Sequence, residues 1–256
     1  MKQRILIVGA GFGGMWSALS STRLLDKYNR HDIEVTVLAP QAELRVRPRF
    51  YEPEVHTMAA PLGELFDAVG VTFVKGLVEH IDVVGKSVKY RDDAGAEIGL
   101  AYDRLVLATG SKVAQPALPG IEAAFNIDNL DEAIRLERHI KSLADVPVSV
   151  MRNTVVVAGG GFTGIEIATE LPSRLREVLG NNTDIRVVVA DRGAEIGAAM
   201  GDGPRDAVVQ ACNALGVEWK LNVLVVQWMR TASPCRMGSA LKPTPSSGRR
   251  VLSPAP

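Results

Sequence analysis

Residues 4–14 of the sequence, RILIVGAGFGG, decide the fold of the chain. The apolar run in this stretch predicts a short strand that is buried on both faces. Gly9, Gly11 and Gly14 follow the run in the spacing G-x-G-x-x-G, and a helix is predicted to start at once. In that arrangement the first glycine permits a tight turn, the second lets a phosphate approach the backbone, and the third lets the helix pack closely on the strand. We therefore interpret the stretch as a dinucleotide site, against the alternative of an ordinary glycine turn.

The same pattern recurs in the second half of the chain. An apolar run, Val155–Ala158, leads into GGGFTG at residues 159–164 and then into a predicted helix. The next predicted strand, Ile185–Ala190, ends on Asp191. An acid at this place accepts a hydrogen bond from a free ribose 2′-hydroxyl and repels a 2′-phosphate. Asp191 therefore predicts a preference for NADH over NADPH, although Arg192 beside it acts in the opposite direction.

The corresponding position in the first half carries no acid. The predicted strand Ile33–Leu38 ends on Ala39-Pro40, and Glu43 is the nearest carboxylate that follows. The sequence leaves open whether Glu43 reaches a ribose.

Short strand candidates punctuated by glycines lie between the two glycine motifs, over residues 71–101, and predict a β-meander. A further apolar strand, Leu105–Ala108, ends on Thr109-Gly110. The fold class expected from this order is α/β, with two Rossmann-like domains that have parallel sheets, a β-meander, and incomplete C-terminal ends. Two nucleotide units imply two dinucleotides, and a flavin with a nicotinamide is the common pair because one passes hydride to the other.

Composition excludes several other classes of protein. Lysine plus arginine and aspartate plus glutamate both number 29, so the net charge is zero and a nucleic-acid partner is not expected. No apolar run is long enough for a membrane span, and no secretory signal opens the chain. The two cysteines, Cys212 and Cys235, form no C-x-x-C pair, so we expect a cytoplasmic, disulfide-free protein with no metal site.

Three segments carry a family resemblance: the first glycine motif, YDRLVLATGS at Tyr102–Ser111, and GGGFTGIEIATEL at Gly159–Leu171. Together they resemble the two-dinucleotide-binding flavoproteins of the pyridine nucleotide-disulfide oxidoreductase superfamily. The segment RPRFYE at Arg47–Glu52 is most similar to the type II NADH dehydrogenase branch. The resemblance covers about residues 4–223.

The resemblance implies which residues hold the cofactors. FAD would be held by Gly9, Gly11, Phe12, Gly13, Gly14, Thr109 and Gly110, and NAD(P)H by Gly159, Gly161, Phe162, Thr163, Gly164 and Asp191. Arg47, in a stretch rich in arginine and aromatic residues, is assigned to the flavin or its phosphates, with a solvated loop as the alternative. Glu166 is implied as the catalytic residue near the two rings. The alternative for Glu166 is a carboxylate near the helix start that the helix dipole stabilises.

The implied activity is hydride transfer from NADH to FAD, followed by electron transfer to a quinone or another small acceptor. The sequence has no cysteine pair near residues 9–51, so a disulfide-reductase mechanism lacks its dithiol. Two alternatives stay open: a ferredoxin- or rubredoxin-type reductase of the same fold, and a non-catalytic nucleotide-binding module. Peripheral membrane association, on the cytoplasmic face, is expected only of a full-length parent.

We expect residues 1–112 to form the FAD domain, residues 113–226 an incomplete NAD(P)H domain, and residues 227–256 a disordered tail. The tail has five prolines and no periodicity. Back-translated from Trp228 and shifted by one base, it permits a strand–turn–strand sequence, which favours a frameshift over an ordinary disordered tail. We therefore expect a truncated chain with little or no activity.

Overall fold

The structure is a computed structural model that describes residues 2–114, 116–230 and 237–243. The chain forms two compact units. Unit 1 comprises Met1–Val46 and Thr57–Lys112, and unit 2 comprises Arg47–His56 and Val113–Pro256. The sequence analysis placed residues 47–56 in the first domain, whereas the structure packs them with the second.

The described strands and helices follow the chain in this order. The strands are β1 (Gln3–Val8), β2 (Ile33–Ala39), β3 (Glu43–Arg45), β4 (Ala59–Pro61), β5 (Thr72–Lys75), β6 (Leu77–Asp82), β7 (Ser87–Arg91), β8 (Glu97–Ala101), β9 (Arg104–Leu107), β10 (Thr154–Ala158), β11 (Arg186–Ala190), β12 (Val217–Lys220), β13 (Val223–Arg230) and β14 (Met237–Pro243). The helices are α1 (Phe12–Lys27), α2 (Gly63–Ala68), α3 (Leu130–Ser142), α4 (Phe162–Leu179) and α5 (Asp202–Leu215).

Unit 1 is built on a parallel sheet with the strand order β5-β2-β1-β9. Successive side chains of β1 enter two different cores, because side chains alternate across a strand. Ile7 packs with Met15 and Ala18 of α1, whereas Leu6 and Val8 pack into the other cluster. Burial on both faces is the physical reason that the run before Gly9 has no polar residue.

The second face of this sheet is covered by an antiparallel meander, β6-β7-β8. Val88 and Tyr90 of β7 enter the cluster that also holds Leu6 and Val8. The sequence analysis included residues 71–74 in this meander, and that part was wrong: β5 pairs parallel with β2 at the sheet edge. The sequence of a short strand indicates that the strand is buried, but it does not indicate which strand it pairs with.

Unit 2 contains a three-stranded parallel sheet with the order β10-β11-β12. Its core joins the inward face of α4, with Leu171 and Leu175, to Val187 and Val189 of β11 and to Cys212 of α5. Among the strands that the structure describes, β10 pairs only with β11.

The expectation of a disordered tail from residue 227 was wrong for the part that the structure describes. β13 and β14 pair antiparallel, from Val223 opposite Pro243 to Arg230 opposite Met237. The β-branched run that opens β13 favours a strand, and the pairing satisfies the backbone groups of both segments. Pro243 stands at the last position of β14, where a missing N–H is tolerated. Residues 231–236 and 244–256 lie outside the described part, and the frameshift stays a prediction about the encoding DNA.

Candidate dinucleotide sites

The turn from β1 into α1 needs glycine at two positions. Gly9 has φ +109°, and a Cβ atom on it would lie 2.2 Å from the carbonyl oxygen of Ala108. A Cβ on Gly14 would lie 1.8 Å from the carbonyl oxygen of Gly9. By contrast, a Cβ on Gly11 would meet no heavy atom within 4 Å. The turn is therefore packed tightly on its inner side and open at Gly11, as a backbone that receives a phosphate must be.

The start of α1 is suited to an anion. Its N-cap residue, Gly11, provides no side-chain cap, and the first turn carries no acid. The first N–H groups of a helix have no partner inside the helix, and they form the positive end of its dipole. Phe12 and Gly13 lie exposed in this turn. This part of unit 1 therefore fits the pyrophosphate of a dinucleotide.

The end of β9 completes this site. β1 lies between β2 and β9 in the sheet and pairs parallel with both, so the strand order, not the strand direction, reverses beside the glycine turn. Ligands of open α/β sheets bind at such a switch point, outside the carboxyl ends of the strands. Ala108 donates its N–H to the carbonyl oxygen of Val8 at 2.8 Å, and the exposed Thr109 and Gly110 follow directly. The structure thus brings Thr109 and Gly110 beside Gly9.

Ala108 is a site residue that sequence reasoning missed. Its Cβ lies 3.6–3.7 Å from the positions that Cβ atoms on Gly13 and Gly14 would occupy. A larger side chain at position 108 would therefore press on the first turn of α1. A small residue directly before Thr-Gly was the signal available in the sequence.

The end of β2 offers no carboxylate in unit 1. Ala39 is buried at that end, and Glu43 in β3 forms an ion pair with Arg45 at 2.6 Å. A ribose hydroxyl in unit 1 would therefore need acceptors other than an acid at the strand end.

Unit 2 repeats the glycine turn between β10 and α4. Gly159 has φ +105°, and a Cβ on Gly164 would lie 2.0 Å from the carbonyl oxygen of Gly159. A Cβ on Gly161 would meet nothing within 4 Å. Gly161 caps α4 without a side chain, and the first turn, with Phe162 and Thr163 exposed, has no acid. This turn has the same capacity for a pyrophosphate as the one in unit 1.

Asp191 touches the second glycine turn directly. Ala190 lies opposite Ala158 in the sheet, and Asp191 follows it. Its Oδ2 accepts the N–H of Gly160 at 2.5 Å, and its Oδ1 accepts the N–H of Gly193 at 2.5 Å. Each carboxylate oxygen has two lone pairs, so Asp191 keeps acceptor capacity for a ribose hydroxyl. The sequence pointed to the ribose contact but not to this anchoring of the turn.

Arg47 and its neighbours form a packed segment of unit 2, residues 47–56, with some side chains buried and others, such as Arg49 and Glu54, exposed. Phe50 and Val55 are 2% and 1% exposed. Arg47 forms an ion pair with Asp128. The cofactor contact assigned to Arg47 stays a prediction.

Buried charges hold this segment, residues 47–56, against α3 and α4. Arg174 is 6% exposed and donates from Nη1 to the carbonyl oxygen of Tyr51 at 3.0 Å. Glu137 accepts the N–H of Glu54 at 3.2 Å and pairs with Lys141 at 2.9 Å. Burial opposes the charge of Glu137, but the hydrogen bond and charge of Lys141 outweigh it and lower the pKa of the carboxyl group.

Glu166 lies in the second turn of α4 and is partly buried. Tyr51 of the packed segment is close to it. Burial raises the pKa of the Tyr51 phenol, and the negative charges of Glu52, Glu166 and Glu170 raise it further. The structure thus places Glu166 and Tyr51 in one electrostatic neighbourhood of unit 2.

The described residues offer no dithiol or metal chemistry. Cys212, the cysteine in the described part, is fully buried, and burial raises the pKa of its thiol. A thiol in such surroundings is unreactive. Among the described residues, no group of three or more His, Cys, Asp or Glu is placed to hold a metal ion. No helix of that part is both long and apolar enough to span a bilayer.

Comparison with known proteins agrees with this arrangement. The family model described as pyridine nucleotide-disulphide oxidoreductase matches residues 3–245. A NADH dehydrogenase-like protein of Mycobacterium tuberculosis is 38% identical over 227 residues, which cover 87% of this chain and 56% of that protein. Demethylphylloquinone reductase of Synechocystis is 33% identical over 224 residues, covering 84% and 53%. NDH2 from Plasmodium falciparum, solved in complex with NADH, superposes with a TM-score of 0.80 at 17% identity, covering 99% and 53%.

The chain therefore belongs to the pyridine nucleotide-disulphide oxidoreductase family. It spans about half the length of the curated relatives that it matches. The resemblance expected from the three sequence motifs is confirmed, and so is the α/β fold with Rossmann-type nucleotide-binding sheets.

Proposed function

We propose that the chain is the cofactor-binding part of an FAD-dependent NADH oxidoreductase. The observation that carries the proposal is the pair of glycine turns, each followed by a helix start with neither a side-chain cap nor an acid. FAD, when bound, supplies the hydride-accepting chemistry and passes electrons on to an acceptor. The residues of the chain bind and orient the two nucleotides.

The two turns take different nucleotides in this proposal. Unit 1 would hold FAD through residues 9–14 and through Thr109-Gly110, which the sheet places beside Gly9. Unit 2 would hold NADH, because Asp191 stands at its turn and its negative charge repels the 2′-phosphate of NADPH. The end of β2 carries Ala39 where the end of β11 is followed by Asp191, and this difference supports the assignment of FAD to unit 1 and NADH to unit 2.

A quinone is the acceptor that we propose. The Synechocystis relative is named as a quinone reductase, and Cys212 offers no redox dithiol for disulfide chemistry. Quinones with long apolar tails reside in membranes. An intact enzyme would therefore work at the cytoplasmic face of a membrane, with its cofactor sites open to the cytoplasm. Glu166 would act near the reacting rings, in the neighbourhood of Tyr51.

We also propose that the 256-residue chain, by itself, sustains no turnover. The chain matches 56% of the Mycobacterium tuberculosis relative. Within the described part, β10 has a neighbour on one side only. A dinucleotide at the Gly159–Gly164 turn would therefore lie beside an open sheet edge.

The proposal is tested in two steps. The purified chain is first titrated with FAD and with NADH by calorimetry, and we expect one site for each. An intact protein of the relatives' length that contains this sequence is then titrated anaerobically with NADH, and its flavin absorbance should bleach. Addition of a water-soluble quinone should restore the absorbance, whereas restoration by ferredoxin alone would indicate a protein acceptor. Equilibrium binding of nucleotides with no bleaching would leave only a binding module.

A further inference from the structure

Trp219 of β12 touches the glycine turn of unit 2. It lies opposite Val189 of β11 and packs on the core cluster of that unit. Its ring atoms Cζ3 and Cη2 lie 2.7 Å and 3.3 Å from the position that a Cβ on Gly160 would take. The edge of the indole therefore occupies the space in which any side chain at position 160 would have to lie.

The other end of the indole is fixed in the core. Its Nε1 is buried without a conventional hydrogen-bond partner among the described residues. The ring packs against the core cluster that contains Cys212. Cys212 is fully buried in α5. The ring thus spans from the core at α5 to the main chain of Gly160.

Gly160 is consequently held from two directions. Asp191 Oδ2 accepts its N–H, and Trp219 packs against it where a side chain would project. Gly160 is itself buried and lies between Gly159, which makes the tight turn, and Gly161, which starts α4. A shift of Gly160 would therefore change both the turn and the direction of the first N–H groups of the helix.

We propose that Trp219 is a positioning residue of the nicotinamide-nucleotide site, acting through Gly160 to hold the turn in the conformation that receives the pyrophosphate and the adenosine ribose of NADH. The inference rests on the proposed function of unit 2 and adds a specific coupling to it. Positions 160 and 219 share one space, so a side chain at 160 requires a smaller side chain at 219. Overpacking of a fixed turn is costly because its neighbours have little room to yield.

The test is a double-mutant cycle on nucleotide affinity. The purified chain and its variants Gly160→Ala, Trp219→Leu and the double variant are titrated with ADP-ribose and with NADH, and their melting temperatures are recorded. We expect each single change to weaken binding of both probes about tenfold, because each displaces the turn. The double variant should bind no worse than Trp219→Leu, since the added methyl group then finds room.

A fluorescence experiment provides a second readout. ADP-ribose has no nicotinamide ring to accept energy, so a change in tryptophan emission when it binds reports on the indole's surroundings. The change should occur in the wild type, disappear in Trp219→Phe, and persist in the matched controls Trp16→Phe and Trp228→Phe. Trp16 is 60% exposed in unit 1, and Trp228 lies in β13.

The outcomes separate the inference from the function on which it rests. A wild-type chain that binds neither ADP-ribose nor NADH overturns the proposed function and this inference with it. Two results would overturn the inference alone, given a wild-type chain that binds both probes. One is that Trp219→Leu binds them as tightly as the wild type. The other is that the losses of binding free energy in the two single variants add up in the double variant. An emission change that persists in Trp219→Phe overturns it too.

Discussion

Asp191 does two things at the residue scale, and substitutions can separate them. Its charge disfavours a 2′-phosphate, while its two oxygens accept the N–H groups of Gly160 and Gly193. Asp191→Asn removes the charge and keeps one acceptor, so NADPH affinity should rise and NADH affinity should fall about tenfold. Titration of wild type and variant with both nucleotides measures this, with Glu64→Gln in unit 1 as a control.

Asp191→Ala should have a further effect, on stability. It leaves the N–H groups of Gly160 and Gly193 without their acceptor, at a cost of about 1–3 kcal/mol for each one that stays dry. The free energy of unfolding should therefore be lower for Asp191→Ala than for Asp191→Asn. Equal stability of the two variants would show that the carboxylate does not hold the turn.

Gly9 and Gly11 form a matched pair in unit 1. Gly9→Ala puts a Cβ 2.2 Å from the carbonyl oxygen of Ala108 at a positive φ, so the fold should lose about 1–3 kcal/mol. Gly11→Ala meets no atom within 4 Å, so it should fold like the wild type but bind FAD about tenfold more weakly. Denaturant unfolding and FAD titration distinguish the two effects. Normal FAD binding by Gly11→Ala would place the phosphates elsewhere.

The two glycine turns could be predicted from the sequence, because the backbone conformation that each glycine adopts is set by its near neighbours in the chain. A glycine that must adopt positive φ, such as Gly159, is recognisable from its spacing alone. Ala108 and Trp219 were not foreseen, because their contacts with the turns join residues distant in the sequence. Nothing in the sequence near Trp219 distinguishes it from an ordinary core aromatic.

At the scale of elements, buried strands were predictable and their partners were not. β1 shows its burial as an apolar run, because both of its faces are covered. β10 has a similar apolar run, although its residues are only partly buried or exposed. β5 and the hairpin β13–β14 depend on pairing partners, which short sequences do not specify. The packed segment 47–56 depends on Arg174 and Glu137, more than eighty residues further along the chain.

The attachment of that segment to α3 should be sensitive to acid. The pKa of Glu137 is below its ordinary value of 4.5, so its stabilising effect is fully present above pH 4.5 and is lost as the pH falls through the folded-state pKa. Glu137→Gln should lower the unfolding free energy by about 1–2 kcal/mol at neutral pH and by progressively less in acid. Chemical denaturation across pH measures this, with the exposed Glu122→Gln as control. A constant difference between wild type and Glu137→Gln would show that the charge is irrelevant.

At the scale of the whole molecule, unit 2 is assembled from two separate stretches of the sequence. The segment 47–56 is inserted between two parts of unit 1, yet its contacts are those of unit 2. Unit 2 is therefore not a contiguous piece of the chain, although the motif order alone suggests a boundary after residue 112.

This discontinuity limits how genes for such proteins can be cut and recombined. A hybrid protein made by a crossover after residue 112 would take Tyr51 from one parent and Arg174 from the other. A fragment of residues 113–256 would lack Tyr51 altogether. Expressed alone, that fragment should be poorly soluble, because the core residues on which Tyr51 packs and the guanidinium of Arg174 would be uncovered. A synthetic peptide of residues 47–56 should bind the fragment, and the same peptide with Tyr51→Ala should bind it less well, because Tyr51 packs on the core of unit 2. Domain exchange in this family would then succeed only when two separate stretches of sequence travel together.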